Sequence, residues 1–339
     1  MTSLIRRWFE AEGFVEVEPA ALQASPGNET HLHGFRTSLI RPSGAASEVF
    51  LHTSPEFAMK KLLAAGETRI FALSRVFRNR ERTALHAPEF TMLEWYRAGA
   101  PLDSLIEDCA ALTALAAHGA GVKSFAFRGR LADPFEPAER LTAREAFRRY
   151  TGIDLYDTLQ PGEAPDATKL AEQAKEAGLR VAADDTWSDI FGRLLSGRVE
   201  PKLGIGRPTI LSAYPISEAA LAQPSRDDPR AAERFELYCC GVELANAFDE
   251  LIDPFELRRR FASNMTEQQR VYGFSHPIDQ DFLDALAAMP PASGAALGVD
   301  RLIMLATGAD RIENVQWTPV FDPDKMERRG PLNRDDIDA

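Results

Sequence analysis

Residues 89–96, EFTMLEWY, read as a β-strand whose period of two gathers Phe90, Met92, Glu94 and Tyr96 on one face. A buried-strand pattern, IFALSRVF, precedes it at 70–77. The connection between the two is charged and irregular, with Arg78, Arg80 and Arg82 close together. Any fold for this chain must therefore hold arginines beside a strand face that carries an aromatic ring, a carboxylate and a phenol.

The rest of the pattern is mixed. Leu4, Ile5, Trp8 and Phe9 give residues 3–12 a helical period, Gly13 ends that helix, and Phe14, Val15 and Val17 form a short strand running into Pro19. Thr53-Ser54-Pro55-Glu56 reads as a helix start: a hydroxyl cap, proline in the first turn, then an acid. That helix runs through Met59, Leu62 and Leu63 to Gly66. Residues 101–200 read as largely helical, with Ala-rich stretches at 106–118 and 167–177 and loops near 161–166 and 201–208. A hairpin is expected over 234–244 with Gly241 near its turn, and helices over 255–272 and 298–307, the last stopped by Gly308. With no internal repeat and no clear linker, one domain is expected over 1–320, followed by a polar, poorly ordered tail over 321–339.

Composition narrows the classes. The chain of 339 residues is 45% hydrophobic and 27% charged, as an ordinary globular protein is. It has no run of 18 apolar residues for a membrane span and no apolar N-terminal core for a signal peptide. Cys109, Cys239 and Cys240 do not suggest a disulfide framework and fit a reducing cytoplasm. His31-x-His33 is the nearest approach to a zinc spacing and lacks further ligands. A net charge of −12 disfavours a large footprint on a phosphate backbone. Neither GxxxxGK[ST] nor GxGxxG after a strand is present, so a bound nucleotide would be held by another scheme.

Two segments carry chemistry. In the hairpin ERFELYCCGVELANAFDEL, a turn centred between Cys239 and Cys240 sets Glu236 opposite Glu243. Facing carboxylates are unfavourable on a sheet and make sense around Mg²⁺ or Mn²⁺; otherwise they are two exposed acids on an edge. Glu250, seven residues beyond Glu243, joins that face only if the chain bends near Asn246-Ala247. In GAALGVDRLIML, a small-residue strand runs into a helix with Arg301 in its first turn, where a cation opposes the helix dipole. Either a polyphosphate is bound there or Arg301 pairs with Asp300 or another acid; Gly298 would let a ring or phosphate approach the backbone.

Pro19 after the first helix and strand, Arg78 followed by H-A-P-E-F-T-M-L-E-W-Y, then E-L-A-N-A-F-D-E-L and G-V-D-R together resemble the three motifs of class II aminoacyl-tRNA synthetases, and within them the lysyl branch. The resemblance covers residues 1 to about 310 and implies an α+β fold, an antiparallel sheet flanked by helices, in a homodimer. It implies ATP and Mg²⁺ as cofactors. By position, Arg78 would bind the α-phosphate and the substrate carboxylate, Arg301 the γ-phosphate, and Phe90 would stack on adenine. Asn79, Arg80, Leu244 and Gly298 would stand on the nucleotide side, and Glu236 and Glu243 would hold Mg²⁺. Glu94, Tyr96 and Glu250 would receive the substrate's ammonium groups, with Asn246 near its carboxylate and Ser54, Pro55 and Glu56 in the substrate-side loop. The chain departs from the family pattern at Arg80, where an acid is usual and Glu81 follows, at Ala87, and at Ala247.

More specifically, the chain resembles truncated lysyl paralogues that join β-lysine to a lysine of elongation factor P. It starts at the first motif, with no room for an anticodon-binding domain, and its charge makes tRNA a poor acceptor. Ala296 stands where lysyl synthetases carry glycine, and its methyl would favour an amine moved to the β-carbon. The alternatives are an adenylate-forming ligase with another acceptor (free amine, carrier protein or tRNA) and an inactive paralogue that binds amino acid or ATP.

Overall fold

The computed structural model describes residues 1–322, so the expected tail lies outside them from residue 323 on. The elements begin with α1 (Thr2–Ala11), β1 (Val15–Glu16), β2 (Leu22–Gln23), β3 (Phe35–Ile40), β4 (Ala46–Leu51), α2 (Glu56–Ala64), β5 (Arg69–Phe77), β6 (Glu89–Ala98) and α3 (Leu102–Ala120). Next come β7 (Phe125–Phe127), β8 (Arg130–Ala132), β9 (Glu139–Thr142), α4 (Ala143–Thr151), α5 (Ala167–Glu176), α6 (Trp187–Leu194) and β10 (Thr209–Ser212). The chain continues with β11 (Arg234–Cys239), β12 (Val242–Asp249), α7 (Pro254–Tyr272), α8 (Gln280–Leu286), β13 (Ala292–Gly298) and α9 (Val299–Thr307). The three short strands between 125 and 142 interrupt the region expected to be largely helical.

Eight strands form the central sheet in the order β1-β5-β6-β13-β12-β11-β10-β9. Its six inner strands pair antiparallel, and the edge pairs β1–β5 and β9–β10 are parallel. This is the α+β, helix-flanked antiparallel sheet that the motifs implied. Alternation along β6 explains its two faces. Leu93 and Trp95 point into a core with Ile5, Phe9, Leu105, Leu112, Leu302 and Leu305 from α1, α3 and α9. Trp95 donates its indole N–H to Asp108, which also accepts from Arg97, so the buried Asp108 carboxylate is satisfied, while Ser293 Oγ on the same face is buried without a partner among the described residues. On the opposite face, Ile70, Ala72 and Tyr96 pack with Phe57, Met59 and Leu63 of α2, Phe261 of α7 and Phe282 of α8. Helices α4–α6 build a satellite core of their own that shares Leu141, Leu211 and Tyr238 with the sheet and takes in Tyr214 just after β10.

The β11–β12 hairpin corrects the expected register. Its turn is Cys240-Gly241, with φ of 56° and 72°, the left-handed pair that matches strand twist in a two-residue hairpin. Tyr238 then pairs with Glu243, but Leu237 pairs with Ala245, leaving Leu244 as an extra residue in a bulge. Glu236 therefore lies opposite Asn246, not Glu243. The bulge also supplies the change of phase that Glu250 needs. It occurs at Leu244 rather than at Asn246-Ala247, and it turns Glu243 and Asn246 to the same face.

Candidate active site

A cavity of about 250 Å³ lies on the face of β6, β13 and β12 that α2 and α7 border. Pairing registers align its floor in two cross-strand rows, Glu94–Ala296–Asn246 and Tyr96–Gly294–Phe248, which continue beyond the wall to Glu236 and Arg234 on β11. The rim comes from the loops at 23–32, 52–58 and 78–87, with Arg301 entering from the first turn of α9.

One end is built from carboxylates. Glu94 is buried and accepts from Ser54 Oγ at 2.6 Å and from the Tyr96 hydroxyl at 2.6 Å. Ser54 Oγ also accepts from the Glu56 N–H at 3.1 Å. The helix start thus differs from the expected one: Pro55 is the N-cap of α2, and the hydroxyl before it ties the helix entry to the cavity. Behind this lies Lys60, 1% exposed, paired with Glu56 at 2.5 Å and Glu250 at 2.6 Å. Burial alone would lower the Lys60 pKa, but Glu250 and Glu56 more than offset that and hold it raised. Burial pushes Glu94 up to about 7, helped by Glu56, and Glu250 up to about 8 against the pull of Lys60. Oε1 of Glu250 is buried without a hydrogen-bond partner among the described residues. It sits over Gly294: a Cβ there would fall 2.5 Å from this oxygen and 2.3 Å from Tyr96 Cε1.

The other end is cationic. Arg78 donates to the Thr53 carbonyl at 3.1 Å and lies 5.4 Å from the Phe90 ring centre. Arg301 donates to the Glu243 carbonyl at 3.0 Å, its carboxylate at 3.3 Å, the Leu85 carbonyl at 3.2 Å and His86 Nε2 at 2.9 Å. Guanidinium only donates, so His86 accepts at Nε2 and its Nδ1 carries the proton toward Thr83 Oγ1, 2.7 Å away. Burial, Arg301 and Arg78 press the His86 pKa down to about 4, so it stays neutral beside the two guanidiniums. Asp300 accepts the Thr91 N–H at 2.7 Å, while the acid that Arg301 meets is Glu243.

Between the ends, Arg234 fixes the floor. It donates to Asn246 Oδ1 at 3.2 Å and to Glu236 at 2.5 Å, which leaves the Asn246 amide NH₂ for the cavity. Glu236 also accepts from the hydroxyls of Tyr214 and Tyr238, each at 2.5 Å. Glu200 lies within the field of this group; burial and then Glu236 and Glu243 push its pKa up to about 7.

Of the residues singled out in the sequence, Ser54, Glu56, Arg78, Phe90, Glu94, Tyr96, Glu243, Leu244, Asn246, Ala296, Gly298 and Arg301 meet at the cavity wall. Glu250 stands just behind Gly294. Pro55, Asn79, Arg80 and Glu236 are not in the wall. Arg80 is a clear correction. Its φ of 65° turns the side chain onto the Tyr272 ring, 5.3 Å away, and Glu81 takes the place on the wall. Ala247 departs from the family pattern on the opposite face, in the core, whereas Ala87 reaches the wall. Lys60, His86, Arg234, Glu200 and Gly294 were not anticipated. A glycine inside a strand marks a close approach, which could have exposed Gly294, and Lys60 follows Glu56 at helical i,i+4 spacing. The other three depend on tertiary neighbours.

This chain belongs to the class II tRNA synthetase family: the family model described as tRNA synthetases class II (D, K and N) matches residues 1–321. Among curated proteins, it is 40% identical over 313 residues to "Elongation factor P--(R)-beta-lysine ligase" of Avibacterium paragallinarum, covering 92% of this chain and 90% of that protein. The proteins of the same name from Salmonella paratyphi B (40% over 315 residues, 92% of this chain and 90% of that one) and Proteus mirabilis (39% over 325 residues, 95% and 93%) are similar along their lengths.

Proposed function

We propose that this chain uses ATP to activate lysine or β-lysine as an aminoacyl-adenylate and passes it to a lysine ε-amine of elongation factor P, with residues 1–320 acting as one catalytic unit. The observation that carries the choice of amino acid is a charge count. Glu56, Glu94 and Glu250 gather at one end of the cavity around a single buried cation, Lys60. When all three carboxylates are ionised the end lacks two positive charges, and a diamino acid brings two ammonium groups. A substrate with a neutral side chain would leave a desolvated carboxylate unpaired, which costs several kcal/mol, about 3–5 in comparable buried pairs. The names of the similar proteins agree with this reading. The methyl of Ala296, between Glu94 and Asn246 on the floor, shapes the place of the amine nearer the carboxylate and supports the β-isomer.

The rest of the cavity suits the activation step. Phe90 offers a ring for adenine, Arg78 and the Asn246 amide NH₂ meet the substrate carboxylate and the α-phosphate, and Arg301 meets the outer phosphates. The carboxylate oxygen attacks the α-phosphorus and pyrophosphate leaves, a step that needs alignment and charge neutralisation more than an acid or base. Neutral His86 can hold Arg301 in place without adding a competing charge. Among the described residues no cluster of three or more acids is set to hold a metal ion, and Glu236 and Glu243 already pair with Arg234 and Arg301, so a divalent cation would need the added negative charge of a bound polyphosphate, which it would neutralise. Glu243 and Glu236 would hold it, Glu236 after releasing tyrosine hydroxyls. The acidic net charge favours a protein amine over tRNA as acceptor, and the three free, buried cysteines fit a reducing, cytoplasmic setting.

ATP–pyrophosphate exchange with lysine, (R)-β-lysine and norleucine, followed by mass spectrometry of elongation factor P, tests this. Exchange is expected with the diamino acids alone, with a mass gain on the acceptor protein. Exchange without protein modification but with tRNA charging would remove the proposed acceptor. A pH titration gives a second check. Glu94 and Glu250 hold protons below about 7 and about 8, and those protons must leave when ammonium groups bind. Affinity for the diamino acid is therefore expected to rise with pH through that window, with proton release seen by calorimetry in two buffers. The ligand-free protein should show the opposite trend: its folded state holds these protons more tightly than unfolded glutamate, so this contribution to stability falls as pH rises from about 5 to 8. A pH-independent affinity would mean that the carboxylates do not face the ligand.

A further inference from the structure

The carboxylates on the cavity wall divide sharply by partner. Glu56 is paired with Lys60, Glu94 with Ser54 and Tyr96, and Glu243 with Arg301. Among the described residues, only Glu29 and Glu81 on that wall have carboxylates with neither a hydrogen bond nor an ion pair. Glu81 sits in the loop after Arg78, on the side of Leu85 and His86. Glu29 sits elsewhere, in the rim loop before β3, and its side chain is exposed into the cavity mouth.

That loop is held firmly. Gln268 of α7, fully buried, donates its amide to the carbonyls of Glu29, Thr30 and Leu32 at 3.4, 3.3 and 3.2 Å. Asn264 donates to the Asn28 carbonyl at 3.0 Å, and Asn28 donates to the Pro277 carbonyl at 3.0 Å. Burying the amides of Gln268 and Asn28 is favourable only when their hydrogen bonds are made, and half-buried Asn264 adds a third, so this loop has one position rather than many. All of these bonds end on backbone carbonyls and leave the Glu29 carboxylate unengaged. The charges around it are Arg78 and Arg234 on the positive side and Glu56 and Glu243 on the negative side. Glu29 thus shares the cavity wall with Arg78, Glu56 and Glu243, its carboxylate at the mouth by which an acceptor chain would enter.

We propose that Glu29 receives the acceptor amine in the second half-reaction: its carboxylate draws the incoming lysine ammonium to the adenylate and takes the proton that must leave before the nitrogen can attack. This rests on the adenylate reading above. The neutral nitrogen then attacks the acyl carbon and a C–N bond forms. The bond from that carbon to the phosphate oxygen breaks, AMP departs with the electron pair, and the second N–H proton goes to the released phosphate. Although Glu29 keeps access to solvent, the protein crowded around its carboxylate raises the pKa from the usual carboxylate range, with Glu56 and Glu243 adding to that and Arg78 and Arg234 opposing it, the direction a base working near neutral pH requires.

Glu29→Gln tests the proposal, since the exposed carboxylate supports no fold contact. Pyrophosphate exchange with the diamino acid is expected to stay within about twofold of the unmodified chain. Hydroxamate formation with hydroxylamine, which is unprotonated near neutral pH, should be equally unaffected. Transfer to the protein amine is expected to fall by about 100-fold or more, with the remaining rate climbing with pH toward the amine's own pKa of about 10.4. Glu29→Asp should recover part of the transfer and flatten that pH dependence. Unchanged transfer in Glu29→Gln, or loss of exchange in step with loss of transfer, would overturn the proposal while leaving the activation reading intact. Absence of exchange in the unmodified chain would instead remove the activation reading, and this inference with it.

Discussion

Gly294→Ala is expected to abolish amino-acid activation while leaving ATP binding nearly unchanged. The glycine pairs with Tyr96 on one side and Phe248 on the other, and its φ is not positive, so alanine meets no backbone strain. The obstacle is space. A Cβ would lie 2.3 and 2.4 Å from Tyr96 ring carbons and 2.5 Å from Glu250 Oε1, distances that force something to move. Neither neighbour moves freely: the Tyr96 hydroxyl is bonded to Glu94, and Glu250 is tied to buried Lys60. Overpacking of this kind costs about 1–3 kcal/mol in stability. Displacing the groups that receive the ammonium should cost activation at least about 100-fold, in the way that a misplacement of about 1 Å does elsewhere. Thermal unfolding, nucleotide binding by calorimetry and pyrophosphate exchange separate these effects. Normal exchange with an unaltered KM for the diamino acid would show that the space over Gly294 is not used.

Glu250→Gln should weaken the diamino acid by roughly 100- to 1,000-fold, from about 3–4 kcal/mol for a lost buried charge pair, and ATP by less than about threefold. The asymmetry follows from position, because Glu250 lies behind Gly294 at the carboxylate end, away from Arg301 and Phe90. The substitution also leaves Lys60 with Glu56 alone, so part of the loss should appear as lower stability. It should further remove the upper part of the pH dependence of diamino-acid affinity, since the group raised to about 8 is gone. Equal weakening of ATP and amino acid would mean that Glu250 serves the architecture rather than the ligand.

The local pattern in β6 was legible because strand alternation is a property of the backbone alone: Phe90, Met92, Glu94 and Tyr96 do share the cavity face. The family motifs likewise located Arg78, Asn246 and Arg301 before any contact was known. The hairpin was readable as a hairpin but not in its register. A single bulged residue, Leu244, moves Glu236 from Glu243 to Asn246, and nothing in the alternation around Cys239 reports it. Arg80 misled for a similar reason, because a positive φ at one residue sends its side chain to Tyr272.

By itself, then, the sequence determined the shared face of β6, since strand alternation acts over a few residues, and its resemblance to the class II motifs implied the fold class and most of the residues that meet at the cavity. Only the tertiary structure decided that Lys60 is buried between Glu56 and Glu250, that Gly294 leaves room for Glu250, and that Glu29 shares the cavity wall with Arg78. Those facts join residues up to 194 positions apart in the case of Glu56 and Glu250, and burial and charge balance over such separations are fixed by packing, not by local sequence.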